Sequence, residues 1–203
     1  MAIKFQYNKT ALQALDKQLK VRERALPTLK NKESALRVEV KKAKDKAAEL
    51  EKEYNKQIES YENMARLWGE FDQSLVRIND VDLSSKKIAG VFTPVLDDIH
   101  FEINNENLFN QPVWFPDGIS IIKKIAETAI QREVFLRKME VLDFARKKTT
   151  QKVNLYEKVQ IPGFQDAIRK IKRFLEDQDN LSKAAQKIVK DRQEKQRQEE
   201  AEI

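Results

Sequence analysis

Residues 12–78 read LQALDKQLKVRERALPTLKNKESALRVEVKKAKDKAAELEKEYNKQIESYENMARLWGEFDQSLVRI, and their spacing decides the fold. Apolar residues fall at alternating steps of three and four: Leu12, Leu15, Leu19, Leu26, Leu29, Leu36, Val40, Ala43, Ala47, Leu50, Tyr54, Tyr61, Met64, Trp68, Phe71, Leu75 and Ile78. Only Arg22, Glu33 and Gln57 interrupt the series. A repeat of 3.5 residues keeps one stripe of a helix facing a partner as the two supercoil, so the pattern predicts a coiled-coil helix over about ten heptads. At about 1.5 Å per residue such a helix would run roughly 100 Å, which predicts a rod.

Composition agrees with long solvated helices. Of 203 residues 35% are charged and 8% aromatic, with 4 Gly and 5 Pro, and the mean hydropathy is -0.69. The chain has no Cys, which excludes disulfide and thiol chemistry. No apolar run is long enough to span a bilayer, so a soluble cytoplasmic protein is expected. The net charge of +6 permits an acidic partner, but Lys and Arg alternate with Asp and Glu, where a nucleic-acid binder would show a basic stripe.

A polar side chain at Asn8 or Thr10 can cap the first helix. Pro27 lies inside it, off the seam, where a missing hydrogen bond predicts a bend. Past Asp80 the heptads stop. Ile99, Phe101 and Ile103 alternate with His100, Glu102 and Asn104, a strand period, and residues 104–107 offer turn chemistry before Val113, Trp114 and Phe115. A small β-hairpin with short helical pieces is the expectation.

Asp117 can then cap a second long helix with apolar positions at Ile122, Ile125, Ala129, Leu136, Met139, Leu142, Val153, Tyr156 and Val159. Beyond Pro162 and Gly163 these resume at Phe164, Ile168, Ile171, Leu175, Leu181, Ala185 and Ile188. Their phase shifts predict stutters, and Pro162-Gly163 a bend or brief break. Residues 191–202 are almost wholly polar and are expected to fray.

The fold class expected is therefore mainly α, a long antiparallel two-helix coiled coil with a small β-hairpin insert at the closed end. Its parts would be residues 1–79 (first helix), 80–117 (insert), 118–190 (second helix) and 191–203 (flexible tail). If Ile78 faces Ile119, Glu49, Glu51 and Glu53 lie opposite Arg146, Lys147, Lys148 and Lys152, a charge match that supports the pairing.

Nothing in the sequence assembles an active site. His100 is the single histidine, on a polar strand face, and no second His or Cys accompanies it. The glycines Gly69, Gly90, Gly118 and Gly163 stand singly, so no phosphate-binding loop forms, and Asp72, Asp80 and Asp82 miss the EF-hand spacing. No cofactor is expected and no catalytic role.

Three blocks resemble the D subunit of V-type and archaeal-type rotary ATPases. Asn8-Lys9-Thr10 with Leu12 to Leu15, Leu19-Lys20 and Leu29-Lys30-Asn31-Lys32 resembles the opening Leu/Lys-rich helix of that family. Gly90-Val91-Phe92-Thr93-Pro94 is similar to its Gly-Val-x-x-Pro segment, and Val153-Asn154-Leu155 through Ile161-Pro162 to its Val-Asn and Ile-Pro block. The resemblance implies a non-catalytic central-stalk rotor, peripheral to the plasma membrane, that couples ATP hydrolysis or synthesis to rotation and ion transport. It implies the catalytic A and B subunits around both chain ends, a small F subunit on the side, here placed at residues 43–61 and 136–156, and a C/d-type subunit at the membrane-side rotor.

On that reading the ring contacts are Lys9, Lys17, Lys20, Arg24, Lys183, Lys187, Lys190 and Arg192. Val91, Phe92, Ile99, Phe101, Trp114 and Phe115 build the core of the insert and a docking surface. Pro27, Pro162 and Gly163 bend the shaft. The alternatives are a structural coiled-coil adaptor, or a basic rod on nucleic acid or an anionic membrane surface.

Overall fold

A computed structural model describes residues 4–104 and 112–201. Helix α1 is Lys9–Ser60, with Pro27 inside it. Asn8 caps it as the sequence predicts, its Oδ1 accepting the Ala11 amide at 2.6 Å. A short helix α2, Ala65–Trp68, leads to strands β1, Val76–Ile88, and β2, Val91–Ile103. Helix α3, Phe115–Asn154, passes through a π-helical turn, Leu155–Gln160, into α4, Ile161–Ala201. The result is the mainly α coiled coil with a hairpin insert that the heptads predict.

Contacts divide the chain into two units, Met1–Lys30 with Gln151–Ile203, and Asn31–Thr150. In the first, Leu15 is buried among Phe164, Ala167, Ile168 and Ile171, flanked by Leu12, Leu19 and Leu175. Arg22 Nε donates to Gln160 Oε1 at 2.6 Å, and Lys30 Nζ pairs with Glu157 Oε1 at 2.6 Å. As α1 advances its partners recede, so the helices run antiparallel.

The π turn explains one phase shift. Pro162 has no N–H and its ring crowds the carbonyl four residues back; just before it the Ile161 amide reaches the Tyr156 carbonyl, five residues away. One widened turn absorbs the extra residue and carries the seam from Tyr156 to Phe164.

In the second unit Leu36, Ala43, Ala47, Leu50 and Leu142 are buried, and the small Ala side chains leave room for close approach of the facing helix. Thr150 Oγ1 donates to Glu33 Oε1 at 3.2 Å, Arg132 Nη1 pairs with Glu51 Oε2 at 2.8 Å, and Gln57 Nε2 donates to Thr128 Oγ1 at 3.2 Å. This register corrects the one expected. Glu51 meets Arg132 rather than the basic run near 146, an offset of about four helical turns. Glu49 pairs instead with Lys46, and Arg146 and Lys147 both with Asp143.

The offset arises because α1 ends at Ser60, although the seam spacing runs on to Ile78. Tyr61, Met64, Trp68, Phe71 and Leu75 still point inward, but from 3-10 turns and α2 rather than from one helix. Phe71, Leu75, Phe115 and Ile119 form a buried cluster with Trp68 and Trp114 around it. Phe71 and Phe115 ring centres lie 5.1 Å apart, and Trp68 and Trp114 meet edge to face at 5.6 Å. Gly118 belongs to this packing: a Cβ there would sit 2.9 Å from Trp114 Cζ3.

The hairpin is longer than expected and turns elsewhere. β1 pairs antiparallel with β2 from Val76↔Ile103 to Ile88↔Val91, with irregularities at Asn79 and Asp97. The reversal is Ala89-Gly90, at φ 47° and 80°, the two-residue form with both residues left-handed that suits the strand twist. Of the turn expected at 104–107, positions 105–107 lie outside the described residues. From its base at Ile103 and Val76 beside the aromatic cluster, the hairpin follows α3. Lys123 Nζ lies over the Phe101 ring at 5.4 Å. Pro94, Val95 and Leu96 share a cleft with Gln131, Val134, Phe135 and Lys138. At the tip, a Cβ on Gly90 would lie 3.4 Å from Lys32 Nζ of α1.

Residues 191–201, expected to fray, continue α4 as helix. Gln, Glu, Lys and Arg have high helix propensity, and Lys190 stands in an i,i+4 pair with Glu194 at 3.7 Å.

Candidate interaction surfaces

The start of the chain reaches α4 at Phe174, whose ring centre is 4.9 Å from that of Tyr7. Beyond Leu175 every described α4 residue from 176 to 198 is exposed, including Leu181 at 72%, Ile188 and Val189. Positions 181, 185 and 188 form an apolar stripe on this helix between charged residues, and among the described residues none covers it. Lys183, Lys187, Lys190 and Arg192 lie on this stretch, all exposed. Lys9, Lys17, Lys20 and Arg24 are exposed on α1, with Lys20 bound to Asp16 at 2.8 Å. The two sets occupy successive stretches: the α1 lysines flank the helix that packs on Phe164 to Leu175, and the α4 set begins after it.

Around the π turn, Ala25, Thr28, Leu29, Lys152, Leu155, Tyr156 and Gln160 line an open groove. Pro27 and Pro162 are exposed beside it and Gly163 half-buried. Arg22 lies 4.6 Å above the Phe164 ring and 5.9 Å from that of Tyr156, so its charge is held over aromatic faces.

In the second unit the insert residues divide. Phe115 is fully buried and Trp114 half-buried in the aromatic cluster, and Val91, Ile99 and Phe101 are half-buried along the hairpin. Phe92 is 65% exposed, with Lys87 Nζ 5.5 Å from its ring; it points away from the core to which the sequence assigned it, because the alternation that buries Val91 and Thr93 turns it outward. Below the cluster, Ile58, Tyr61, Trp68, Ile122 and Ile125 line an apolar cleft of about 480 Å³ with Glu59 and Glu62.

Sequence reasoning missed Phe144, 61% exposed on α3 beneath Lys148 Nζ at 4.3 Å, and Val38, exposed on α1. Large apolar residues off the seam were the signal that could have found them.

His100 Nε2 lies 2.9 Å from Asp82 Oδ2 on the exposed hairpin face, which raises the imidazole pKa above its ordinary value. Among the described residues no cluster of three or more His, Cys, Asp or Glu could hold a metal ion, and no helix is long and apolar enough to cross a membrane.

Residues 11–191 match the family model for the D subunit of ATP synthase. The V-type ATP synthase D subunit of Borreliella burgdorferi is 31% identical over 189 residues, covering 92% of this chain and 94% of its own. That of Chlamydia pneumoniae is 26% identical over 182 residues, 87% of each chain, and that of Chlamydia abortus 29% over 185 residues, 89% of this chain and 88% of its own. Since the matched span takes in α1, the hairpin, α3 and most of α4, the chain belongs to the family of V-type ATP synthase D subunits.

Proposed function

We propose that this chain is the central-stalk rotor shaft of a V/A-type ATPase, a non-catalytic subunit that couples ATP hydrolysis or synthesis in a ring of A and B subunits to rotation and ion transport. The observation that carries this reading is the uncovered stretch of α4, residues 176–198, a helix whose exposed Leu181, Ile188 and Val189 alternate with Lys183, Lys187, Lys190 and Arg192. A single helix of mixed character can sit inside a ring and meet three chemically equivalent A/B pairs with different faces. Its angle then favours one nucleotide state at each pair, and by linkage each nucleotide state favours an angle. Lys9, Lys17, Lys20 and Arg24 extend the same contact along α1.

On this reading the small F subunit docks on the side, at residues 43–61 and 136–156, where Phe144 offers an exposed ring. The cleft at Ile58, Tyr61, Trp68 and Ile122 receives the C/d-type subunit of the membrane-side rotor. The protein works in the cytoplasm, peripheral to the plasma membrane.

The test is a pull-down with the tagged full chain and with a chain ending at residue 176, from native extract at moderate and high salt. The full chain should recover A and B subunits with a small F-like subunit, and the shortened chain should lose A and B while retaining the F-like subunit. Recovery of nucleic acid or of the chain alone by the full-length bait would overturn the rotor reading in favour of a basic rod or an adaptor.

A further inference from the structure

We infer that Arg22, Glu33 and Gln57, the three polar breaks in the α1 seam, are the residues that fix the axial register of the coiled coil. An apolar heptad seam is degenerate: sliding one helix by seven residues lays leucine on leucine again, at little cost. A polar residue in the seam removes the degeneracy, because a slipped register takes away its partner: one heptad off, Arg22 would face Val153 or Ala167, Gln57 would face Ile121 or Phe135, and Glu33 would face the carboxylate of Asp143 or Glu157.

Each of the three breaks meets one polar partner across the seam. Arg22 Nε donates to Gln160 Oε1 at 2.6 Å, Glu33 Oε1 accepts from Thr150 Oγ1 at 3.2 Å, and Gln57 Nε2 donates to Thr128 Oγ1 at 3.2 Å. The partners are themselves set by their own helix. The buried Thr128 hydroxyl donates to the Lys124 carbonyl at 2.9 Å, leaving its oxygen to accept from Gln57. Glu33 is held from its own side by Arg37 at 2.8 Å, and Arg22 by the faces of Phe164 and Tyr156.

These layers are not optimised for stability. Gln57 Oε1 and Arg132 Nε are buried without a hydrogen-bond partner, a cost that an apolar seam would avoid. The aromatic cluster around Phe71 and Phe115 anchors the helices only where α1 ends, and Arg22 lies 38 residues before Ser60. The pins supply what the leucines cannot, a unique alignment far from that anchor. A helix pair that carries force along its length needs that alignment, yet the inference concerns the isolated chain and stands apart from the rotor reading.

The absence of cysteine lets spin labels be placed uniquely in the full chain. One pair at Lys46→Cys and Arg137→Cys reports the second unit, and one at Lys17→Cys and Gln165→Cys reports the first; all four sites are exposed. With the native seam each pair should give one narrow distance distribution. In the triple variant Arg22→Leu, Glu33→Leu and Gln57→Leu, a further, longer-distance population should appear, from an axial slip of about 10 Å, one heptad, while the melting temperature holds or rises. A single unshifted distance for both label pairs in that variant would overturn the inference. Should the triple variant not fold, Arg22→Leu alone must broaden the first unit's distance, and the exchange Arg22→Gln with Gln160→Arg must keep it narrow; any other result overturns the assignment of Arg22.

Discussion

His100 sits among carboxylates that act on it in a definite order. Its hydrogen bond to Asp82 raises the pKa most, followed by the charge of Asp82; desolvation opposes them, and Asp98 and Asp80 add smaller upward contributions. A folded-state pKa above the unfolded value means that protonation stabilises the hairpin. That contribution is fully present below about pH 6.5, the unfolded value, and is lost as pH rises through the folded one. In Asp82→Asn the imidazole should titrate at lower pH by NMR, close to an ordinary histidine; a curve unchanged from the native protein would show that the contact does not persist in solution. Asp143 has the opposite sign. Lys147 and then Arg146 hold its carboxyl below the ordinary value, so its stabilisation is present above about pH 3.8 and fades as pH falls through the folded pKa. The pair is local to α3 and leaves α1 untouched.

The hairpin shows how far element type could be read from spacing. β2 was legible because Ile99, Phe101 and Ile103 alternate with polar residues. β1 was not, because Trp68, Phe71, Leu75 and Ile78 keep the three-four spacing after the helix has ended, and a burial pattern fixes which residues face inward without fixing the backbone that carries them. Its turn was hidden too, since Ala89-Gly90 lacks the Asn or Asp that announces a two-residue reversal. The error propagated. Taking Ile78 as the end of the helix set the pairing about four turns out and made the chain ends level, so the uncovered end of α4, the strongest feature of the candidate surface, could not be seen. Ala89 supplies the element's own test. An L side chain at φ 47° costs about 1 kcal/mol over glycine, so Ala89→Gly should raise the denaturant midpoint by an equivalent amount. A lowered midpoint would mean that the Ala89 methyl contributes more by packing than it costs in strain.

At the scale of the whole molecule, each unit has a buried cluster of its own. Residues 1–30 and 151–203 close around Leu15, Phe164, Ile168 and Ile171, while residues 31–150 close around Phe71, Leu75, Phe115 and Ile119. Neither cluster contains a residue of the other unit. Contiguous segments with their own cores open as separate cooperative units in native-state hydrogen exchange. Truncating a fully buried residue in one core should therefore be felt there and attenuated in the other. Ile171→Ala should cost about 2–5 kcal/mol and Phe115→Ala about 3–5 kcal/mol, from lost burial and the cavity left behind. Expressed as exchange, Ile171→Ala should lower protection across residues 9–30 and 151–175, and Phe115→Ala across residues 31–150, including β1 and β2. In both variants α4 beyond Leu175 should exchange fastest, since every described residue from 176 to 198 faces solvent. Equal loss of protection throughout the chain from either substitution would show a single cooperative molecule, in which the helices passing between the clusters transmit destabilisation undiminished.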